Sequence, residues 1–223
     1  MVVDDLEGAH RATSHLIRSG CKRIALISIL DNLSVGKLIV EGYRKAMLDS
    51  GQPVDEELIV RIGGKEDFET AMKFVLSDKG IDALLCLEES SAIRSLVLLK
   101  QMNYRIPEEM SIICFTNGEL PKYVSPSITT ISQHGKSIGE ISARLLIDRI
   151  EGGDEQSPYQ TKTIKTSLRE RESTRRARRV HASSSGQIAL SCGSRFRDAC
   201  GLRTNRFRRL TDSSETPPTS MAN

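Results

Sequence analysis

The chain has no run of roughly eighteen apolar residues, so no membrane-spanning helix is expected. Its first residues, Met1-Val2-Val3-Asp4-Asp5, are acidic and lead into no apolar segment, so no signal peptide is expected either and the default compartment is the cytoplasm. The five cysteines, Cys21, Cys86, Cys114, Cys192 and Cys200, are odd in number, and no pair has Cys-x-x-Cys spacing. This argues against a zinc site or a redox pair. Cys86 and Cys114 fall in apolar runs, where a free thiol acts as a small hydrophobe. Among the four histidines only His10 and His15 are near in sequence, and five residues apart they do not share a helix face, so no metal site and no cofactor are expected. Also missing are a Gly-x-Ser-x-Gly elbow, a Gly-x-x-x-x-Gly-Lys phosphate loop and a Gly-x-Gly-x-x-Gly fingerprint. Gly63-Gly64-Lys65 is too short for a phosphate loop. The chain therefore reads as a binding protein rather than an enzyme.

Lysine stops altogether before the last 49 residues. Residues 175–223 carry ten Arg, no Lys and three acids, whereas residues 1–174 carry 22 Lys/Arg against 26 Asp/Glu. The tail lacks a sustained apolar period and is rich in Ser, Arg, Thr and Pro, a composition of disordered sequence. An all-Arg arm can neutralise phosphates of a nucleic acid. A different coding origin, such as a shifted frame, explains the abrupt loss of lysine better.

What is present in the first 174 residues is alternation. Leu6, Ala9, Thr13, Leu16 and Ile17 recur at helical spacing before Gly20, which sits where a C-cap glycine belongs. Arg23–Ser28 is a short, almost continuous apolar run, as a strand covered on both faces requires. After a loop at 29–34, Val35–Leu48 returns to the helical period and stops at Asp49-Ser50-Gly51. The unit then repeats: strand Leu58–Ile62, helix Asp67–Leu76, strand Ala83–Leu87, helix Ser90–Met102 and strand Ser111–Phe115. Strands separated by single helices predict an α/β fold with a doubly wound parallel sheet. In such folds ligands sit beyond the carboxyl ends of the strands. The loops at 28–34, 63–66, 88–91 and 116–119 accordingly form one candidate rim. Glu88 and Glu89 are adjacent carboxylates there, suited to a helix N-terminus or, less readily, to sharing a proton. Thr116-Asn117-Gly118 reads equally as a turn, since Asn before Gly favours one, and as a polar ligand contact.

In order along residues 3–176, the segments "DDLEGAHRATSHLIRSGCKRIALI", "EGYRKAMLDSG", "RIPEEMSIICFTN", "SPSITTISQHGKSIGEISARLLIDRIEG" and "TKTIKTSLRERESTRR" resemble those of the LacI/GalR bacterial transcription regulators. The resemblance implies the periplasmic-binding-protein type I fold. It assigns 5–128 and a closing strand at 160–168 to the C-terminal subdomain, and the helix 136–150 to the N-terminal subdomain. The partial effector domain would thus span 1–174, followed by a disordered basic tail at 175–223. The family's helix-turn-helix, which reads operator DNA as a dimer, and the first half of its N-terminal subdomain have no counterpart in this chain. The helix 136–150 presents Ile138, Ile141, Leu145, Ile147 and Ile150, a face that packs in full-length members. Left wet, it forfeits about 5 to 10 kcal/mol, so the helix is expected to be mobile, misplaced or self-associating.

The resemblance also nominates ligand contacts: Ser34 before the second helix, Glu88 and Glu89 where members place Asn-Asp, Thr116 where an aspartate is common, Asn117 beside it, and Gln133 in the crossover. Ile39 replaces an arginine that often holds a sugar or base, so a bidentate grip is lost there. The expected function is ligand-responsive regulation of transcription, with a small-molecule, sugar-like effector and a homodimeric parent. The alternative is a periplasmic-type solute-binding protein for carbohydrate transport. A nucleotide-using doubly wound enzyme lacks its motifs.

Overall fold

The computed structural model describes residues 1–29, 33–62, 68–77, 80–152 and 159–175. The elements run β1 (Val2–Val3), α1 (Asp5–Arg18), β2 (Ile24–Ser28), α2 (Ser34–Asp49), a 3-10 turn (Glu56–Leu58), β3 (Ile59–Arg61), α3 (Phe68–Ser77), β4 (Ala83–Cys86), α4 (Glu89–Gln101), β5 (Ser111–Phe115), α5 (Leu120–Tyr123), β6 (Thr129–Ser132), α6 (Gly135–Glu151), β7 (Thr163–Ile164) and β8 (Ser167–Arg169). Six strands form one sheet in the order β3-β2-β4-β5-β6-β8. The first five are mutually parallel and β8 is antiparallel to β6.

Strand side chains alternate between faces, and the two cores follow that period of two. Ala25, Ile27, Leu84, Cys86, Ile112 and Cys114 pack with Met72 and Val75 of α3 and Leu96 and Leu99 of α4. Ile24, Leu26, Leu85, Leu87, Ile113 and Phe115 pack with Ala9, Ala12 and Leu16 of α1 and Ile39, Tyr43 and Met47 of α2. Both faces of β2, β4 and β5 are therefore covered, which is why these strands read as unbroken apolar runs. Where α1 crosses α2 the backbones nearly touch: a Cβ on Gly42 would lie 2.1 Å from the Leu6 carbonyl oxygen. Tyr43 is buried beside this contact and its hydroxyl donates to the Ile24 carbonyl at 2.9 Å.

The structure corrects the expected closing strand. Residues 160–168 do not form one strand: Thr163–Ile164 pairs with β1 in a separate two-stranded ribbon, and Ser167–Arg169 joins β6. The break falls at Thr166, whose amide donates to Asp4 Oδ1 at 2.5 Å and whose carbonyl accepts from the Arg11 guanidinium at 2.6 Å. These bonds turn the backbone out of one ladder before it enters the next. The sheet also continues past residue 128 through the parallel β6 to the antiparallel β8, so it is mixed at that edge.

The far end of the sheet is sealed by the segment Arg171–Arg175. Ser173 Oγ donates to the Ile112 carbonyl at 2.6 Å and accepts the Thr129 amide at 2.8 Å, and its backbone bonds both Ile112 and Ser127. Thr174 Oγ1 contacts Thr129 Oγ1 at 2.9 Å and His15 Nε2 at 3.2 Å. Ile112, Thr129, Ser173, Thr174 and His15 are buried, which makes their bonds necessary rather than decorative. The remainder of the proposed tail, from residue 176, lies outside the described residues.

Helix α6 stands apart from these cores. None of its residues is buried, and Leu146, Ile147 and Ile150 are 60%, 50% and 71% exposed. No described helix is long and apolar enough to cross a membrane.

Candidate functional site

In this strand order the chain leaves β2 for β3 on one side and returns to β4 on the other, so the topological switch point lies between β2 and β4. A crevice opens at the carboxyl ends of strands at such a point. Ser28 ends β2, Glu88 and Glu89 follow β4, Thr116 to Gly118 follow β5, and Gln133 and His134 follow β6.

Three of the six nominated residues meet directly or through one neighbour. Thr116 Oγ1 donates to Glu89 Oε2 at 2.6 Å and accepts the Gly118 amide at 2.8 Å. The hydroxyl thus closes the turn and anchors a carboxylate brought from 27 residues away. Asn117 Oδ1 accepts from Ser132 Oγ at 3.1 Å, tying the β5 end to β6. The lack of a side chain at Gly118 leaves room for this carboxylate, since an added Cβ would lie 1.9 Å from Glu89 Oε2 and displace it. Asn117-Gly118 therefore forms a turn that supports the rim, the first of the two readings the sequence left open.

Glu88 is set differently. It is half-buried and precedes α4 with extended backbone, and both of its carboxylate oxygens are shielded from solvent by the protein, close to Ser91 and the Ile29 amide. The nearby Ser91 hydroxyl donates instead to the Glu88 carbonyl at 3.0 Å. Burial raises the Glu88 pKa above the ordinary carboxylate value, and the proximity of Ser91 and of the Ile29 amide offsets only part of this. Glu89 begins the first turn of α4, where its charge meets the positive end of the helix dipole.

The remaining nominated residues are placed elsewhere. Gln133 Nε2 donates to Asp5 Oδ1 at 2.6 Å, so its amide is committed to the start of α1. Ser34 opens α2 and is exposed, but the loop that would bring it to the rim, residues 30–32, lies outside the described residues, as do 63–67. Sequence reasoning missed Ser132, His134 and Ser167. His134 holds a left-handed backbone (φ 55°) at the start of α6 and its Nε2 contacts Ser167 Oγ at 2.9 Å. Only the pairing of β6 with β8 reveals that contact.

Beneath the rim, burial pushes the Cys86 thiol up to about 12 and the Cys114 thiol well above its ordinary value. Both remain protonated at neutral pH and act as core residues. The rim offers hydrogen-bond acceptors, a few donors and fixed carboxylates, which is the equipment of a polar binding site.

A doubly wound sheet with a polar rim at its switch point defines a ligand-binding class, and comparison with known proteins gives the family. Residues 13–174 match the periplasmic binding protein-like domain, and the chain belongs to that family. Its relatives are LacI-type regulators. It is 29% identical over 152 residues to the HTH-type transcriptional regulator CelR of Thermobifida fusca, covering 67% of this chain and 45% of that one. Among solved structures, a transcriptional regulator CelR–cellobiose complex superposes with a TM-score of 0.68 at 28% identity, covering 77% of this chain and 52% of the other. A LacI family regulator from Enterococcus faecium with bound ribose gives the same TM-score at 25% identity, with 77% and 63% covered. The chain thus spans about half the length of the curated relatives it matches. The regulators named among them do not favour the transport alternative.

Proposed function

We propose that this chain supplies the strand-end half of an effector site in a ligand-responsive transcription regulator, and that the effector is a small, sugar-like molecule. The observation that carries the reading is the convergence of Glu88, Glu89, Thr116 and Asn117 at the carboxyl ends of β4 and β5, where the Thr116 hydroxyl holds the Glu89 carboxylate. That relatives of this fold carry cellobiose and ribose supports a carbohydrate. In the full-length parent, effector binding would shift the affinity of a homodimer for operator DNA, read by a helix-turn-helix. Catalysis is not part of this reading.

The test is a titration of the isotope-labelled chain with cellobiose and with ribose, followed by amide chemical shifts. Saturable shifts at 88–91 and 116–118 are expected for at least one sugar. Shifts confined to other surfaces, or none at millimolar concentration, would refute the assignment of the site.

A further inference from the structure

We propose that the exposed face of α6 pairs two copies of this chain, antiparallel, about a two-fold axis. The face is one stripe of a 17-residue helix. At about 3.6 residues per turn, Gly139, Ala143, Leu146 and Ile150 fall in line with Ile147 beside them, and all five are exposed. Their steps of four, three and four residues are those of a seam between two packed helices. Ile138, Ile141 and Leu145 lie on the opposite side and are half-buried, so the helix carries an apolar face beyond the one its own chain covers. A groove walled by Leu146, Arg149, Met1 and Tyr159 continues this surface onto the neighbouring segment. Contiguous exposed apolar surface of this kind marks a contact site.

Gly139 is an independent sign of close approach. Inside a helix glycine is less favourable than alanine. Nothing among the described residues requires it at this position: its φ is not positive, and an added Cβ would meet nothing within 4 Å. The missing side chain leaves room for a surface that this copy does not supply.

Charge selects the occupant and its direction. Lys136, Glu140, Arg144 and Glu151 run along one flank of the stripe. Lys136 and Glu140 lie 3.7 Å apart within the chain, whereas Arg144 and Glu151 have no ion pair among the described residues. In an antiparallel pair centred between Ala143 and Arg144, Lys136 lies beside Glu151 of the second copy. Glu140 comes within one turn of the second copy's Arg144 and offsets the approach of the two Arg144 side chains near the axis. Two-fold symmetry repeats each contact. The same register seats Gly139 between Ile147 and Ile150 of the second copy and Ala143 beside its Leu146, small against large. A parallel pair would set Lys136 against Lys136 and Glu140 against Glu140, which costs affinity. One helix face offers less than the roughly 800 Å² per partner of a standard interface, so a micromolar dissociation constant is expected. The pairing does not depend on the effector site.

Sedimentation equilibrium of the full 223-residue chain across roughly 5 to 500 μM reads the association directly. A reversible monomer–dimer equilibrium is expected. Gly139→Leu fills a position that is open in a single copy, so far-UV circular dichroism should show helix content unchanged or higher while the dissociation constant rises at least about tenfold. Ile150→Asp should produce a similar loss. Lys136→Glu should weaken the dimer about threefold or more, and adding Glu151→Lys should restore it, although the in-chain clash with Glu140 stays in place. A chain that is monomeric throughout this range overturns the proposal. A dimer indifferent to both Gly139→Leu and Ile150→Asp uses another surface and overturns it as well. Association that continues beyond the dimer, or a double reversal that restores nothing, overturns the antiparallel two-fold arrangement.

Discussion

The sheet and helix α6 are built from similar aliphatic side chains yet are treated in opposite ways. In the sheet, Leu26, Leu84, Ile112 and Ile113 are wholly buried under helices on both faces. In α6, Ile147 and Ile150 project at least half-exposed, and in its last turn Arg149 lies over the Tyr159 ring, itself 90% exposed. Composition alone does not decide burial; a helix with apolar residues has a core only if another layer covers it. The difference shows which elements are covered by a second layer among the described residues and which are not.

Cutting the two regions identically is the most severe test of this contrast. Leu99→Ala, in the core under α4, is expected to cost about 2 to 5 kcal/mol in urea unfolding. Ile147→Ala on α6 should fall within about 0.5 kcal/mol of the parent chain. Equal losses would break the comparison.

A second perturbation acts on the seal at the far end of the sheet. Ser173→Ala strands the Thr129 amide and removes a donor from the Ile112 carbonyl, so about 2 kcal/mol should be lost. Tyr43→Phe removes one buried bond to the Ile24 carbonyl and should cost about 1 kcal/mol by the same measure.

The smallest expected effect is on pH dependence. Burial lowers the His15 pKa below the ordinary 6.5, with Glu170 opposing and Arg18 reinforcing that direction. Between the lowered value and 6.5 the unfolded chain holds more protons than the folded one, so stability rises with pH across that window and is lost as pH falls through it. His15→Gln should flatten the unfolding free energy over this interval, as measured by denaturant titration at stepped pH. Glu88 works in the other sense. Its carboxyl is raised, so the folded chain holds more protons above 4.5, and stability declines as pH rises from there towards the folded value.

How much of this was legible in the sequence follows from the range of the forces. The strands β2, β4 and β5 were readable because burial on both faces leaves an apolar run, and α1, α2 and α4 because their periodicity and caps are local. Strand β6, Thr-Thr-Ile-Ser, has no such run; it is a strand because β5 and β8 pair with it. Strands β1 and β7 are two residues each and exist only through one another. The rim position of Glu88, Glu89 and Thr116-Asn117 was legible from strand ends. The Thr116–Glu89 bond, the diversion of Gln133 to Asp5 and the contact of His134 with Ser167 were not, because they join residues 27, 128 and 33 positions apart.

The central claim, a finished sheet unit beside an uncovered helix, is tested most directly by native-state hydrogen exchange on the full chain under conditions where it is monomeric. Amides of β4 and β5 are expected to exchange only through global unfolding, and those of α6 orders of magnitude faster through local opening. Protection of α6 equal to that of β4 and β5 in a monomer would contradict the account.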